Sequence, residues 1–179
     1  STLSTGGSIS LISGVSNDPN TATTSGFIAI TTANAGTNSN GISGALHIST
    51  GLTQTGTSGV ITLKTGTSSG GKGGSITLSV GDGDTGVGGD ITVNAGHTTA
   101  SFGTTGGAIS LQSGESALTS SGGISMVTPN AGIAGISGNI AFKSGASSSG
   151  NTGTIQLTSG NSSGGKGGSI TLSVGDGDT

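Results

Sequence analysis

Few residues of this chain have side chains suited to catalysis or metal binding, and their spacing does not gather them. His47 and His97 stand far apart, whereas a metal site needs three or four ligands at short, fixed spacings. Glu115 is the only glutamate and has no neighbouring carboxylate of the kind that glycoside hydrolysis uses. No Ser, His and Asp arrangement suggests an activated nucleophile. We therefore predict a chain that is not an enzyme, with surface histidines, no cofactor and no resident metal.

Acidic residues concentrate in two copies of Gly-Asp-Gly-Asp, which contain Asp82 and Asp84 in one copy and Asp176 and Asp178 in the other. Fragments of calcium-binding loops have a similar composition, so these four residues are the candidates for calcium contact. Glycine and aspartate are also typical of solvated turns. We favour turns and keep calcium as the alternative.

One acceptor motif for N-glycosylation is present, at Asn161-Ser162-Ser163. In a secreted protein this motif marks an exposed loop carrying a glycan. The other interpretation is a chance match, because three-residue patterns arise often in a Ser-rich chain.

The candidate residues lie in a chain that is built from sequence repeats. Ser68–Thr85, with the sequence SSGGKGGSITLSVGDGDT, returns letter for letter as Ser162–Thr179. Within it lies a shorter motif, an apolar triplet such as Ile76-Thr77-Leu78, which recurs mostly every 15 residues. The eleven triplets begin at Ile9, Ile28, Leu46, Ile61, Ile76, Ile91, Ile109, Ile124, Ile140, Ile155 and Ile170.

The triplets fall into a longer repeat of six. Gly6–Gly14 aligns with Gly106–Gly114, which divides the chain into a first repeat at 1–100 and a second at 101–179 that lacks its last motif. We interpret 1–179 as a single continuous array and as a window of a longer repeat protein, because terminal repeats normally differ from internal ones.

Each triplet alternates apolar and other residues, the period-two pattern of a strand that is buried on one face. Glycine-rich segments between triplets supply corners that tolerate unusual backbone angles. No single motif can form a core, so the pattern predicts stacking into an all-β, parallel β-solenoid (β-helix) with Gly-rich turns. The expected core positions are Ile9, Leu11, Ile28, Ile30, Leu46, Ile48, Ile61, Leu63, Ile76, Leu78, Ile91, Val93, Ile109, Leu111, Ile124, Met126, Ile140, Phe142, Ile155, Leu157, Ile170 and Leu172.

Composition limits the partners. The chain has 40 glycines among 179 residues, no cysteine, no arginine, and a net charge of -3. Nucleic-acid binding needs a basic stripe with aromatic stacking groups, which is missing here. No apolar run is long enough for a membrane span. Low complexity also suits a disordered linker, but regularly spaced triplets favour an ordered array.

The cadence GGKGGSITLSVGDGDTGVGGDITVNAG resembles the Gly-, Ser- and Thr-rich repeat proteins of diatom and related algal cell surfaces. Gly89–Gly96 is more loosely similar to the repeats of bacterial filamentous-haemagglutinin adhesins, although those repeat at a longer period. Both resemblances imply an extended extracellular shaft with an adhesive or structural role, and neither implies catalytic residues.

We therefore expect a structural, non-enzymatic protein at the cell surface or outside the cell. It would form the rigid shaft of a filament, adhesive strand or hair-like appendage, and would self-associate head to tail or laterally, with extracellular polysaccharide as a further partner. The alternative is a binding module that presents a Ser, Thr and Asn surface to polysaccharide, mineral or ice.

Overall fold

A computed structural model describes residues 6–16, 24–36, 41–100 and 105–177. These residues contain neither a helix nor a strand. The backbone of the described residues is irregular, with bends at 54–56, 69–71, 84–87, 117–119, 148–150 and 163–165 and one turn at 133–134. In that turn the amide of Gly135 donates a hydrogen bond to the carbonyl of Gly132 at 3.3 Å.

The prediction of an all-β, parallel β-solenoid is therefore wrong for the described residues, and so are the descriptions of the chain as a β-solenoid or β-helix. A sheet requires a ladder of backbone hydrogen bonds between neighbouring strands. The backbone hydrogen bonds of the described ranges join loop residues, and none of them links one triplet to another. Alternation over three residues indicates an extended segment but does not by itself supply a partner for the backbone.

The expected aliphatic core is likewise missing from the described part of the chain. All of its large apolar side chains are exposed, and the most covered of them, Val80, remains 45% exposed. The reason lies in composition, because each motif offers two aliphatic side chains among Gly, Ser and Thr residues that gain little from leaving water. The Ile and Leu positions thus face solvent rather than one another.

The chain divides into two units, Ser1–Ile91 and Thr92–Thr179. The division passes through the triplet that begins at Ile91. Each unit contains triplets separated by Gly-rich segments of sequence. The division of the sequence into repeats at 1–100 and 101–179 stays a prediction.

One glycine of the described ranges adopts a left-handed backbone. Gly86 has a φ of 77° within the bend at 84–87, a conformation that a side chain disfavours. Among the described residues no helix is long and apolar enough to cross a lipid bilayer.

Candidate functional site: glycine necks and exposed triplets

The histidines and the glutamate that the sequence leaves without chemical partners are exposed to solvent. His47, His97 and Glu115 are all exposed. Within the described ranges no group of three or more His, Cys, Asp or Glu side chains could hold a metal ion, and no cavity is present.

The acidic corners are also exposed. Asp82 and Asp84 lie at the entrance to the bend at 84–87, where the Asp84 carboxylate accepts a hydrogen bond of 3.4 Å from the hydroxyl of Thr85. Asp176 is exposed in the second copy, and Asp178 lies outside the described residues. This local hydrogen bond suits a solvated turn, while calcium contact stays a prediction.

Asn161, the glycan candidate, is exposed in a loop that bends at 163–165. The first copy of the long repeat has Thr67 at the equivalent position, also exposed. The two loops are therefore near-identical in sequence but differ in the acceptor motif.

The feature that organises the described chain is a closed loop between successive triplets. A glycine stands two residues before each triplet, and in the ten triplets after the first it faces the residue four positions after the start of the preceding triplet. At Gly74, for example, an added Cβ atom would lie 3.3 Å from both Cβ and Cγ2 of Thr65. We call each such pair a neck. The ten pairs are Ser13 with Gly26, Thr32 with Gly44, Thr50 with Gly59, Thr65 with Gly74, Val80 with Gly89, Ala95 with Gly107, Ser113 with Gly122, Thr128 with Gly138, Ser144 with Gly153, and Ser159 with Gly168.

Hydrogen bonds close several necks. The amides of Gly26, Gly107 and Gly122 donate to the carbonyls of Gly14, Gly96 and Gly114 at 3.0, 2.9 and 2.9 Å. In a fourth neck the hydroxyl of Thr128 donates to the carbonyl of Gly138 at 3.1 Å. At Gly74, Gly89 and Gly107 an added Cβ would lie 2.8 to 3.3 Å from atoms of the preceding motif, closer than ordinary contact, so glycine suits these necks. At Gly122 and Gly153 the distance of 3.6 to 3.8 Å is ordinary van der Waals contact.

The necks are also the most covered places in the chain. Eight residues of the described ranges are half-buried, and five of them, all Ser or Thr, are the neck residues that face a glycine. The five are Ser13, Thr65, Ser113, Thr128 and Ser144. Packing is thus concentrated at small polar residues rather than at the aliphatic triplets.

Exposure of the first triplet residue depends on the presence of an upstream neighbour. Ile9, which no triplet precedes in this sequence, is 92% exposed, whereas the ten other first residues are 47 to 59% exposed. Each of those ten follows a closed neck, and Ile9 does not. An upstream motif therefore covers part of the next triplet.

The exposure of the residue that follows a triplet also differs between motifs. Val80 and Val174 occupy equivalent positions in the identical long repeats, but Val80 is 45% exposed and Val174 is 97% exposed. Val80 faces Gly89 of the next motif, and no motif follows Val174 in this sequence. Because the local sequences are the same, the neighbouring motif makes the difference.

The chain matches no protein-family model, no curated protein and no solved structure. The resemblance to algal surface proteins and to haemagglutinin-type adhesins therefore stays a prediction. The site rests on the residues of this chain alone.

The necks were missed in the interpretation of the sequence, although a signal for them exists. Glycine stands two residues before the triplet in all eleven motifs. Glycine is also typical of solvated corners, so its recurrence by itself does not indicate a contact.

Proposed function

We propose that this chain is a non-enzymatic structural protein of an extracellular filament, adhesive strand or hair-like surface appendage, built by association of many copies. The structural role is the one expected from the sequence, but the filament is not a β-solenoid. Copies instead associate through the apolar side chains that a single chain leaves exposed to water.

The observation that carries the proposal is the regular exposure of the triplets. Their first and third residues are exposed in every motif, with the values given above for the first residues and values of 56 to 84% for the third. Soluble monomers rarely leave all of their large apolar side chains in water, and exposed apolar side chains at regular spacing are suited to association. A second copy carries apolar groups at the same 15-residue spacing, so several triplets can meet in register.

The free energies of side-chain burial and of association favour contact through many triplets rather than through one. Full burial of one exposed Ile or Leu side chain contributes about 1.5 to 3 kcal/mol. Bringing two chains together costs about 4 to 15 kcal/mol. Because the triplet side chains are already partly covered, contact between two triplets returns only part of this value and is comparable with the cost. Several triplets in register exceed the cost, because later contacts form within an existing complex. Assembly should accordingly be cooperative and extended.

The low charge of the chain is compatible with close packing of copies. Charged residues make up 6% of the sequence, and the net charge of -3 is spread over 179 residues. Electrostatic repulsion between copies is therefore small. The exposed Ser and Thr residues leave a hydroxyl-rich outer surface on which extracellular polysaccharide could bind.

The extracellular setting is part of the proposal and is supported by the sequence resemblance described above. The Ser- and Thr-rich, cysteine-free composition is compatible with it. The setting would be checked by labelling the native cell surface with an antibody against the repeat.

Electron microscopy and sedimentation of the purified chain over a range of concentrations test the proposal. We expect fibres whose amount rises above a threshold concentration. A monodisperse monomer at every concentration contradicts the structural role. If that monomer retained a polysaccharide or mineral, or ordered ice at its surface, the binding module would be the better assignment.

A further inference from the structure

We propose that Asp82 is a site of spontaneous covalent modification, at which the side chain cyclises onto the amide of Gly83 and the residue becomes isoaspartate. The same pair of residues recurs in the second long repeat as Asp176 and Gly177. The reaction takes place within one chain. It therefore goes beyond the proposed assembly and does not depend on it.

The reaction consists of the loss and the regain of water. The Gly83 nitrogen attacks Cγ of the protonated Asp82 carboxyl group, an N–Cγ bond forms, and the hydroxyl of that carboxyl leaves with the amide proton as water. Water then attacks one of the two carbonyls of the cyclic imide. Attack at Cγ restores aspartate. Attack at the main-chain carbonyl breaks its bond to nitrogen 83, so that the chain continues through Cγ as isoaspartate with unchanged mass.

The environment of Gly83 suits this ring closure. Both residues of the pair are exposed, and they lie outside any helix or strand, where hydrogen bonds would hold the backbone amide in place. Among the described residues no acceptor binds the Gly83 amide. Glycine has no side chain to obstruct the approach of its nitrogen to the carboxyl group. The nitrogen can therefore reach Cγ of Asp82.

The two aspartates that follow Asp82 are less suited to the same reaction. Asp84 is followed by Thr85, whose hydroxyl donates a hydrogen bond of 3.4 Å to the Asp84 carboxylate. Asp90 is followed by Ile91. Both following residues are branched at Cβ, which crowds the attacking nitrogen. All three aspartates are exposed, so the residue that follows, rather than access of water, distinguishes Asp82.

Conversion to isoaspartate changes the chain at the entrance to the bend at 84–87. It adds a methylene group to the main chain and leaves the α-carboxylate as a side group. Isoaspartyl carboxyl methyltransferases transfer a methyl group from S-adenosylmethionine to that carboxylate. The modified chain is therefore a substrate for this class of enzyme, which also serves as the probe.

Ageing of the native chain and of Gly83→Ala tests the proposal. Alanine fits at this position, because its Cβ would meet only the carbonyl oxygen of Thr85, at an ordinary 3.8 Å, and because the positive φ of the described ranges belongs to Gly86. Both chains are kept for several weeks in mildly acidic buffer at low protein concentration. Methylation with labelled S-adenosylmethionine measures total isoaspartate, and electron-transfer fragmentation of the digested chain locates it.

We expect isoaspartate to accumulate in the native chain several-fold faster at residue 82 than at residue 90. Gly83→Ala should slow the reaction at residue 82 several-fold and leave the rate at residue 176 unchanged, so the second copy of the pair serves as an internal control. Equal rates at residues 82 and 90, or an unchanged rate at residue 82 in Gly83→Ala, would overturn the proposal. Either result is independent of whether copies associate.

Discussion

The Cγ1 atom of Val80 lies 2.8 Å from the point at which a Cβ atom of Gly89 would stand. The same valine in the second long repeat, Val174, faces no such glycine and is almost fully exposed. Within two identical stretches of sequence, the valine that faces a glycine of the next motif is about half covered, and the equivalent valine is not. Coupling between nearest neighbours is the expected behaviour of repeat chains.

Closure of the necks predicts fast disulfide formation across them. The Cβ of Ser113 lies 3.6 Å from the Cβ position of Gly122, and the amide of Gly122 bonds to the carbonyl of Gly114. In a variant with Ser113→Cys and Gly122→Cys, we expect an intramolecular disulfide to form at low protein concentration, since the separation suits the bond. Free-thiol titration over time measures the rate.

A matched control for this neck moves one cysteine by a single residue. Gly123 has nothing within 4 Å of its Cβ position, so Ser113→Cys with Gly123→Cys should oxidise several-fold more slowly. Equal rates for the two variants would mean that the loop between the triplets is open in solution.

The hydrogen bond at a neck predicts a protected amide. The Gly107 amide donates to the carbonyl of Gly96 at 2.9 Å, and an added Cβ on Gly107 would lie 3.1 Å from the Gly96 nitrogen. A backbone atom cannot relieve this close contact by changing its rotamer, as the end of a side chain can. Gly107→Ala should therefore separate the two segments and break the hydrogen bond to Gly96. A hydrogen bond worth about 1 kcal/mol protects an amide about fivefold, and the variant should lose that protection in hydrogen exchange measured by NMR.

The control for this neck is Gly96→Ala, whose added Cβ meets nothing within 4 Å. Residue 107 should keep its slowed exchange in that variant. Loss of protection in both variants, or in neither, would remove the steric argument for glycine at the neck.

The sequence predicted part of this organisation. The eleven triplets, the loops between them and the exposure of His47 could be expected from repetition and composition. The absence of strands from the described residues could not be expected, because the pattern Ile-Thr-Leu is the same whether or not a second backbone lies alongside. The neck contacts, such as that between Gly74 and Thr65, involve small residues that carry no hydropathy signal.

The near-identical loops around Thr67 and Asn161 allow a test of glycosylation. Expressed in a eukaryotic secretory host, the chain should gain one glycan, which peptide N-glycosidase removes with the corresponding change in mass. Asn161→Thr should abolish the modification, and Thr67→Asn, which creates Asn-Ser-Ser in the equivalent exposed loop, should add a second glycan. An unmodified native chain in that host would show that the Asn161 motif is a chance match.

Assembly through the triplets is the central claim, and sedimentation velocity of two matched variants tests it most directly. Each variant replaces six exposed apolar residues by Ser, so neither leaves a cavity in the chain. The first variant replaces the first and third residues of three triplets. The second replaces six apolar residues that lie outside the triplets. The triplet variant changes Ile61, Leu63, Ile76, Leu78, Ile155 and Leu157, and the control changes Ile42, Leu52, Val87, Leu118, Ile133 and Ile136.

We expect the threshold concentration for assembly to rise at least about tenfold in the triplet variant, equivalent to about 1.4 kcal/mol. The control should stay close to the native chain. Equal thresholds in both variants would show that the spaced triplets do not join the copies.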